Sequence, residues 1–150
     1  MGHSYDLLVQ KGDKPMTKLT HINPDNMVPY LPYGLSHAVA VEGGKTVYLS
    51  GQVGWDENGN LVGPDLASQI AQAHINIRKI LAEAGATPAD IVRLNTYVVN
   101  YAPEDGEVVN AANHKLFEGV MPASATLMGV QALYAPDIRC EVEATVVVKA

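Results

Sequence analysis

Apolar residues fall along this chain in two rhythms, and each change of rhythm marks a new element. Leu66, Ile70, Ala73, Ile77, Ile80, Leu81 and Ala84 recur three or four positions apart. That spacing lays a single apolar stripe on a helix. Pro64 suits its first turn and Gly85 its C-terminal cap. A second helix is predicted for "PEDGEVVNAANHKLFEGV" (103–120), with acidic residues in the first turn and Lys115 late, as the helix dipole favours. Elsewhere β-formers dominate, predicting strands at 36–41, 46–52, 91–99, 125–131 and 138–148. The last is the sharpest. In "RCEVEATVVV" (139–148), Arg139, Glu141, Glu143 and Thr145 share one face, and Cys140, Val142, Ala144 and Val146 the other. Turns are predicted at "EGGK" (42–45) and at Asn58-Gly59, the strongest short hairpin signal. Residues 17–35 contain three prolines and predict an extended arm with room for a short strand at its start.

The predicted order is β-β-α-β-α-β-β, an α+β fold with one mixed sheet and two helices on one face. The second face has no helix to cover it. The strands hold too many apolar residues for both faces to be wet, so other copies of the chain are expected to cover it. Such packing would place the charged side chains of the last strand at a subunit seam.

Composition narrows the function. The 150 residues are 47% hydrophobic, enough for one well-built core. We assign that domain to 16–150 and set aside 1–15, "MGHSYDLLVQKGDKP", as a leader or loose extension. A net charge of −6 argues against a nucleic-acid partner, which would need a basic face. No apolar run approaches the ~18 residues of a membrane span, so no membrane partner is expected. A lone cysteine, Cys140, rules out an internal disulfide framework and suits a reducing cytoplasm.

Few residues carry recognisable chemistry. "GGKT" (43–46) is not a P-loop, because such a loop needs a glycine where Val39 stands and a helix where a strand follows. His21, His37, His74 and His114 lack paired ligand spacing, so no metal is expected. Cys140 shares a face with Val142 and reads as a core thiol. Tyr30, Tyr33 and Trp55 lie near turns, where aromatic residues more often simply pack. Glu141 and Glu143 differ, because a charge within an apolar strand is costly to bury unpaired. The bland reading is an ion pair at a seam, with Arg139 of a neighbouring copy. The functional reading is a carboxylate that orients or activates water.

Three stretches together carry a resemblance: "VYLSGQVG", "ASQIAQAHINIRKILAEAGATPADIVRLNTYVVN" and "CEVEATVVV". In order and spacing they resemble the Rid family (reactive intermediate deaminases, also called YjgF-like or L-PSP proteins) from about Ser36 to Lys149. The resemblance implies a chorismate-mutase-like fold and a homotrimer with a barrel-like core and three intersubunit clefts. It also implies hydrolysis of enamines and imines to 2-oxo acids and ammonia, with no cofactor. The family's water-handling glutamate falls on Glu141, its Ser-Gly pair on Ser50 and Gly51, and its helix asparagine on Asn110. Its tyrosine falls on Leu35 or His37, with Tyr33 nearby. The arginine that clamps the substrate carboxylate falls on Ser124 or Ala125 in "MPASATLMGV", and neither is charged. Losing a bidentate clamp would weaken carboxylate binding by about 2 kcal/mol or more if nothing replaced it. Arg139, on the face of Glu141, is the expected substitute, and Arg93 lies on the third strand. The competing role for Arg139 is to neutralise Glu141 or Glu143.

The expectation is therefore a cytoplasmic homotrimer that hydrolyses an imine or enamine C–N bond. Glu141 would position water, while Ser50, Gly51, Asn110, Tyr33 and His37 shape the cleft. Ser124 would hydrogen-bond a substrate less acidic or larger than aminoacrylate. A non-catalytic metabolite-binding trimer is the alternative. Ribonuclease activity sits badly with the net charge of −6.

Overall fold

A computed structural model of the chain describes residues 16–149. Eight regular elements follow in order: β1 (Lys18–Ile22), β2 (Ala38–Glu42), β3 (Lys45–Tyr48), α1 (Leu66–Glu83), β4 (Ile91–Val99), α2 (Pro103–Leu116), β5 (Ser124–Val130) and β6 (Cys140–Val148). The predicted helices and strands are present, and the short strand in the arm is β1. α1 starts after Pro64, at a cap formed by Asp65, whose carboxylate accepts from Ser68 N at 2.8 Å. It ends where Gly85 takes φ 71° and Ala86 N reaches back to Leu81 O at 2.8 Å. Among the described residues, no helix is long and apolar enough to cross a membrane.

Four strands form a mixed sheet in the order β3-β6-β4-β5. β6 runs antiparallel to both β3 and β4, whereas β5 runs parallel to β4. The parallel pair follows from α2, which supplies the long crossover that parallel neighbours need. β1 and β2 make a separate antiparallel ladder, from Lys18↔Glu42 to Ile22↔Ala38. Between β2 and β3 the chain turns through Gly43 and Gly44, with φ of 69° and 83°. A side chain at Gly44 would also meet Val147 Cγ1 at 2.5 Å, so only glycine fits that turn.

The core lies between the helices and one face of the sheet. Ile70, Ala73, Ile77 and Leu81 of α1 pack with Leu94 and Val98 of β4 and with Cys140, Val142, Ala144 and Val146 of β6. The opposite face carries Tyr48, Arg93, Asn95, Tyr97, Glu141 and Glu143, none of them buried. It is more polar than expected, because β4 and β6 send nearly all their apolar side chains toward the helices.

One buried group gives the fold a pH signature. His74 of α1 is 6% exposed, and its Nε2 has no hydrogen-bond partner. Burial pushes its pKa down to about 4, against a hydrogen bond to the Ala112 backbone, with Arg78 adding to the lowering. The unfolded chain takes a proton below about 6.5 that the folded chain refuses. The stabilisation is therefore complete above pH 6.5 and is lost as the pH falls toward 4, by about 3 kcal/mol. Urea melts of the wild type should show that loss, and His74→Leu should flatten it. Equal slopes in both proteins would contradict this account.

Candidate active site

Glu141 owes its position to an irregular stretch beside β6. After Tyr48 the chain stays against that strand: Leu49 N donates to Ala144 O at 2.9 Å, and Gln52 exchanges bonds of 2.7 and 2.9 Å with Val142. Tyr48 pairs with Thr145 and Gln52 with Val142, so the incoming chain carries one residue more than β6 across that interval. The extra residue falls at Ser50-Gly51 and makes a bulge there. This is why regular pairing of β3 stops at Tyr48 and not at Gln52, as the sequence predicts.

The bulge places Gly51 directly against Glu141. A Cβ on Gly51 would lie 1.8 Å from Glu141 Oε1, 2.6 Å from Cδ and 2.8 Å from Cγ. Only a glycine lets the carboxylate occupy this position. Glu141 and Gly51 line a cavity of about 800 Å³, with Asn76 and Lys79 of α1, Trp55 and Tyr134. The Trp55 and Tyr134 rings meet edge to face, with centroids 6.1 Å apart. Asn76 fixes the loop beneath Trp55 by donating from Nδ2 to Val53 O at 3.1 Å and Trp55 O at 2.9 Å. Ser50 is exposed beside Gly51, and its carbonyl accepts from Gln52 Nε2 at 3.1 Å.

The two glutamates of β6 have different surroundings. Glu143 accepts from Tyr97 Oη at 2.5 Å and from Asn95 Nδ2 at 3.1 Å. These donors hold its carboxyl below the usual carboxylate range, against a small opposing effect of burial, and Glu143 in turn raises the Tyr97 hydroxyl. Glu143 is thus committed to the sheet face, whereas Glu141 faces the cavity. Cys140 is fully buried, and burial pushes its thiol up to about 12, which makes it a core residue and a poor nucleophile.

The remaining predicted residues do not converge on Glu141 within one chain. Asn110 and Tyr33 share a second depression of about 350 Å³ with Leu35, Thr96, Asn113 and Thr126. His37 holds the arm: its ring bonds to Val28 O at 2.8 Å and stacks on Tyr30 with centroids 3.9 Å apart. The Ser124 hydroxyl donates to Val92 O at 2.8 Å. Arg139, expected beside Glu141, bonds instead to Asp105 at the start of α2 at 3.4 Å, with Asp105 Oδ2 also accepting from Ala102 N at 2.9 Å. It neutralises neither Glu141 nor Glu143 through a contact among the described residues.

Sequence reasoning overlooked Gln69. Its side chain is fully buried, donates to Gly63 O at 2.8 Å and Asp137 O at 3.0 Å, and accepts from Arg139 N at 2.7 Å. A signal existed: Gln69 is the polar residue within the apolar stripe between Leu66 and Ala73. Asn76, Lys79 and Tyr134 give no comparable signal, because their place in the cavity depends on loops distant in sequence.

Known proteins similar to this chain form a coherent group. Residues 27–148 match the family described as Endoribonuclease L-PSP. A 2-iminobutanoate/2-iminopropanoate deaminase of Dermatophagoides farinae is 31% identical over 132 residues, covering 87% of this chain and 94% of that protein. The human protein of the same name is 34% identical over 95 residues, covering 63% of this chain and 65% of its own length. Among solved structures, the Rid-family protein YyfB of Yersinia pestis, whose function is unknown, is 45% identical with a TM-score of 0.85, covering 87% of this chain and 98% of its own. RidA of Psychrobacter is 30% identical with a TM-score of 0.62, covering 75% and 87%. The match over most of the chain, together with the shared two-helix mixed-sheet fold, places this protein in the Rid (YjgF-like, L-PSP) family.

Proposed function

We propose that this protein hydrolyses imines or enamines of small 2-amino acids, releasing a 2-oxo acid and ammonia. The observation that carries this reading is the Glu141 carboxylate lying over Gly51 at the wall of the large cavity. Water adds to the imine carbon as Glu141 orients it and takes its proton. That proton passes to the imine nitrogen to give a carbinolamine; its hydroxyl then gives up the second proton to the nitrogen as the C–N bond breaks, so the nitrogen leaves as ammonia and the carbon becomes a carbonyl. The balance is one imine and one water to one 2-oxo acid and one ammonia, and no redox partner or cofactor is consumed. The names of the Dermatophagoides and human relatives support this class of substrate.

The separation of Glu141 from Asn110 and Tyr33 supports a site completed between subunits. Each chain offers two half-sites, and a homotrimer joins one half-site of each copy to the other half-site of its neighbour. The uncovered sheet face would be buried in that assembly. The cytoplasm, where imines arise during amino-acid metabolism, suits such an activity.

The direct test is 2-oxo acid release from imines generated in situ from several amino acids, with the wild type and with Glu141→Ala. Acceleration by the wild type alone is the expected result. Binding of 2-oxo acids without acceleration would favour a metabolite-binding trimer, a reading supported by the engaged hydroxyl of Ser124. Ribonuclease activity is opposed by the net charge of −6.

A further inference from the structure

We propose that the site prefers 2-imino acids with a bulky, uncharged apolar side chain, such as that of leucine, and that Trp55 and Tyr134 form the pocket for that side chain. This inference rests on the hydrolase reading above and names the end of its substrate range that the cavity fits. The reacting end of any such substrate, a C=N carbon with its carboxylate, is only a few atoms across. The cavity that holds Glu141 measures about 800 Å³. That is toward the top of the range of about 300–1,000 Å³ that encloses a drug-sized ligand. Most of the cavity therefore lies beyond the reacting atoms and is available to a side chain.

The chemistry of that remaining wall is specific. Val53, Trp55, Ile80 and Tyr134 line it. Trp55 is the chain's single tryptophan, and neither it nor Tyr134 joins the core. Trp55 is 37% exposed and Tyr134 87%, so the two rings meet edge to face and leave much of their surface in water. A ligand side chain laid against them removes that apolar surface from water. The backbone beneath Trp55 is already fixed. Its N donates to Val53 O at 2.8 Å, its carbonyl accepts from Asn76 Nδ2 at 2.9 Å, and it pairs with Leu61 across the Asn58-Gly59 turn. Binding therefore need not order that loop. The charges on the wall do not select an ionic side chain. Asp56 Oδ1 is taken by Asn58 N and Asn60 N, which leaves Lys79 and Glu57, one of each sign. All of these residues belong to one chain, so the pocket is built without a neighbouring copy.

The test is calorimetric binding of 2-oxo acids, the product class, to wild type, Trp55→Ala and Tyr134→Ala. The probes are pyruvate, 4-methyl-2-oxopentanoate, 2-oxoglutarate with its second carboxylate, and the cationic 5-guanidino-2-oxopentanoate. The wild type should bind 4-methyl-2-oxopentanoate about tenfold more tightly than pyruvate. Each buried carbon adds about fourfold in affinity, so tenfold asks for burial of about two of the extra carbons. Trp55→Ala should bring these two acids to within about threefold of each other. Tyr134→Ala, a change at an exposed side chain, should narrow the gap part of the way. A merely structural effect of either change would weaken both acids alike and leave their ratio intact. In turnover, the ratio of kcat/KM for the leucine-derived imine to that for the alanine-derived imine should fall by the same factor. Equal binding of pyruvate and 4-methyl-2-oxopentanoate by the wild type would overturn the proposal. So would a ratio preserved in Trp55→Ala, tighter binding of either acid with a charged side chain, or a wild type that binds no acid. The two readings fail separately. Hydrolysis with a side-chain preference that survives Trp55→Ala would sink only the pocket. A binding preference that depends on Trp55, without turnover, would sink only the hydrolase.

Discussion

Glu141→Ala should slow imine hydrolysis by about 10²- to 10⁴-fold, the range a positioned general base contributes, and Gly51→Ala should reproduce most of that loss. The second variant is the more informative one. All three of the nearest atoms a Cβ at position 51 would meet belong to the Glu141 side chain, and the closest is a carboxylate oxygen at 1.8 Å. That end of the side chain is flexible and can swing away, so the fold should survive while the carboxylate leaves its place. Gly51→Ala should therefore melt near the wild-type temperature yet show a kcat close to that of Glu141→Ala. The double variant should be no slower than Glu141→Ala alone, because both changes remove the same group. A Gly51→Ala protein with wild-type kcat would show that the carboxylate is not needed where the structure puts it.

Gln69→Leu should destabilise the fold by about 3 kcal/mol or more. The side chain is fully buried and makes three hydrogen bonds to the main chain: two as donor, to Gly63 and Asp137, and one as acceptor, from Arg139 N. Leucine nearly matches the volume but leaves two carbonyls and one amide without their partner. Each orphaned buried group costs about 1–3 kcal/mol. The carbonyls belong to surface loops and can recruit water, which puts the sum toward the lower end. The same bonds hold the chain at Asp137–Arg139 as it leads into β6, so the Gln69→Leu protein should also lose activity ahead of global unfolding. Urea midpoints for wild type and variant, with m-values compared, measure the first effect. A shift below about 1 kcal/mol would mean that water replaces all three bonds.

Ser124→Arg should leave the urea midpoint near the wild-type value, because the Ser124 side chain does little to hold β5. Its hydroxyl bond to Val92 O is a local fastening, and its loss should cost little stability.

Local pattern alone set a large part of this protein. The stripe from Leu66 to Leu81 made α1, and strict alternation from Cys140 to Val146 made β6, with apolar residues inward and both glutamates outward. Asn58-Gly59 closed its turn, helped by Asp56, whose carboxylate accepts from Asn58 N and Asn60 N at 2.9 Å each. Each of these follows from backbone geometry acting over a few residues, which a sequence displays directly. The resemblance also pointed to Glu141, Ser50 and Gly51 together, and the fold brings them together. What no local pattern contains is register between distant segments. The extra residue that slides Gly51 under Glu141 comes from pairing between segments some 90 positions apart. Arg139 shares the alternation of Glu141, yet its long side chain turns to Asp105, because a carboxylate at a helix start offers a better partner than open solvent. Asn110 and Glu141 fall in separate depressions because Asn110 is grouped with Ala125, Thr126 and Leu127 of the edge strand β5, whereas Glu141 is grouped with the segment 51–57 that runs beside β6 on the other side of the sheet. Periodicity decides which face a side chain takes; only the folded chain decides which distant group it meets there.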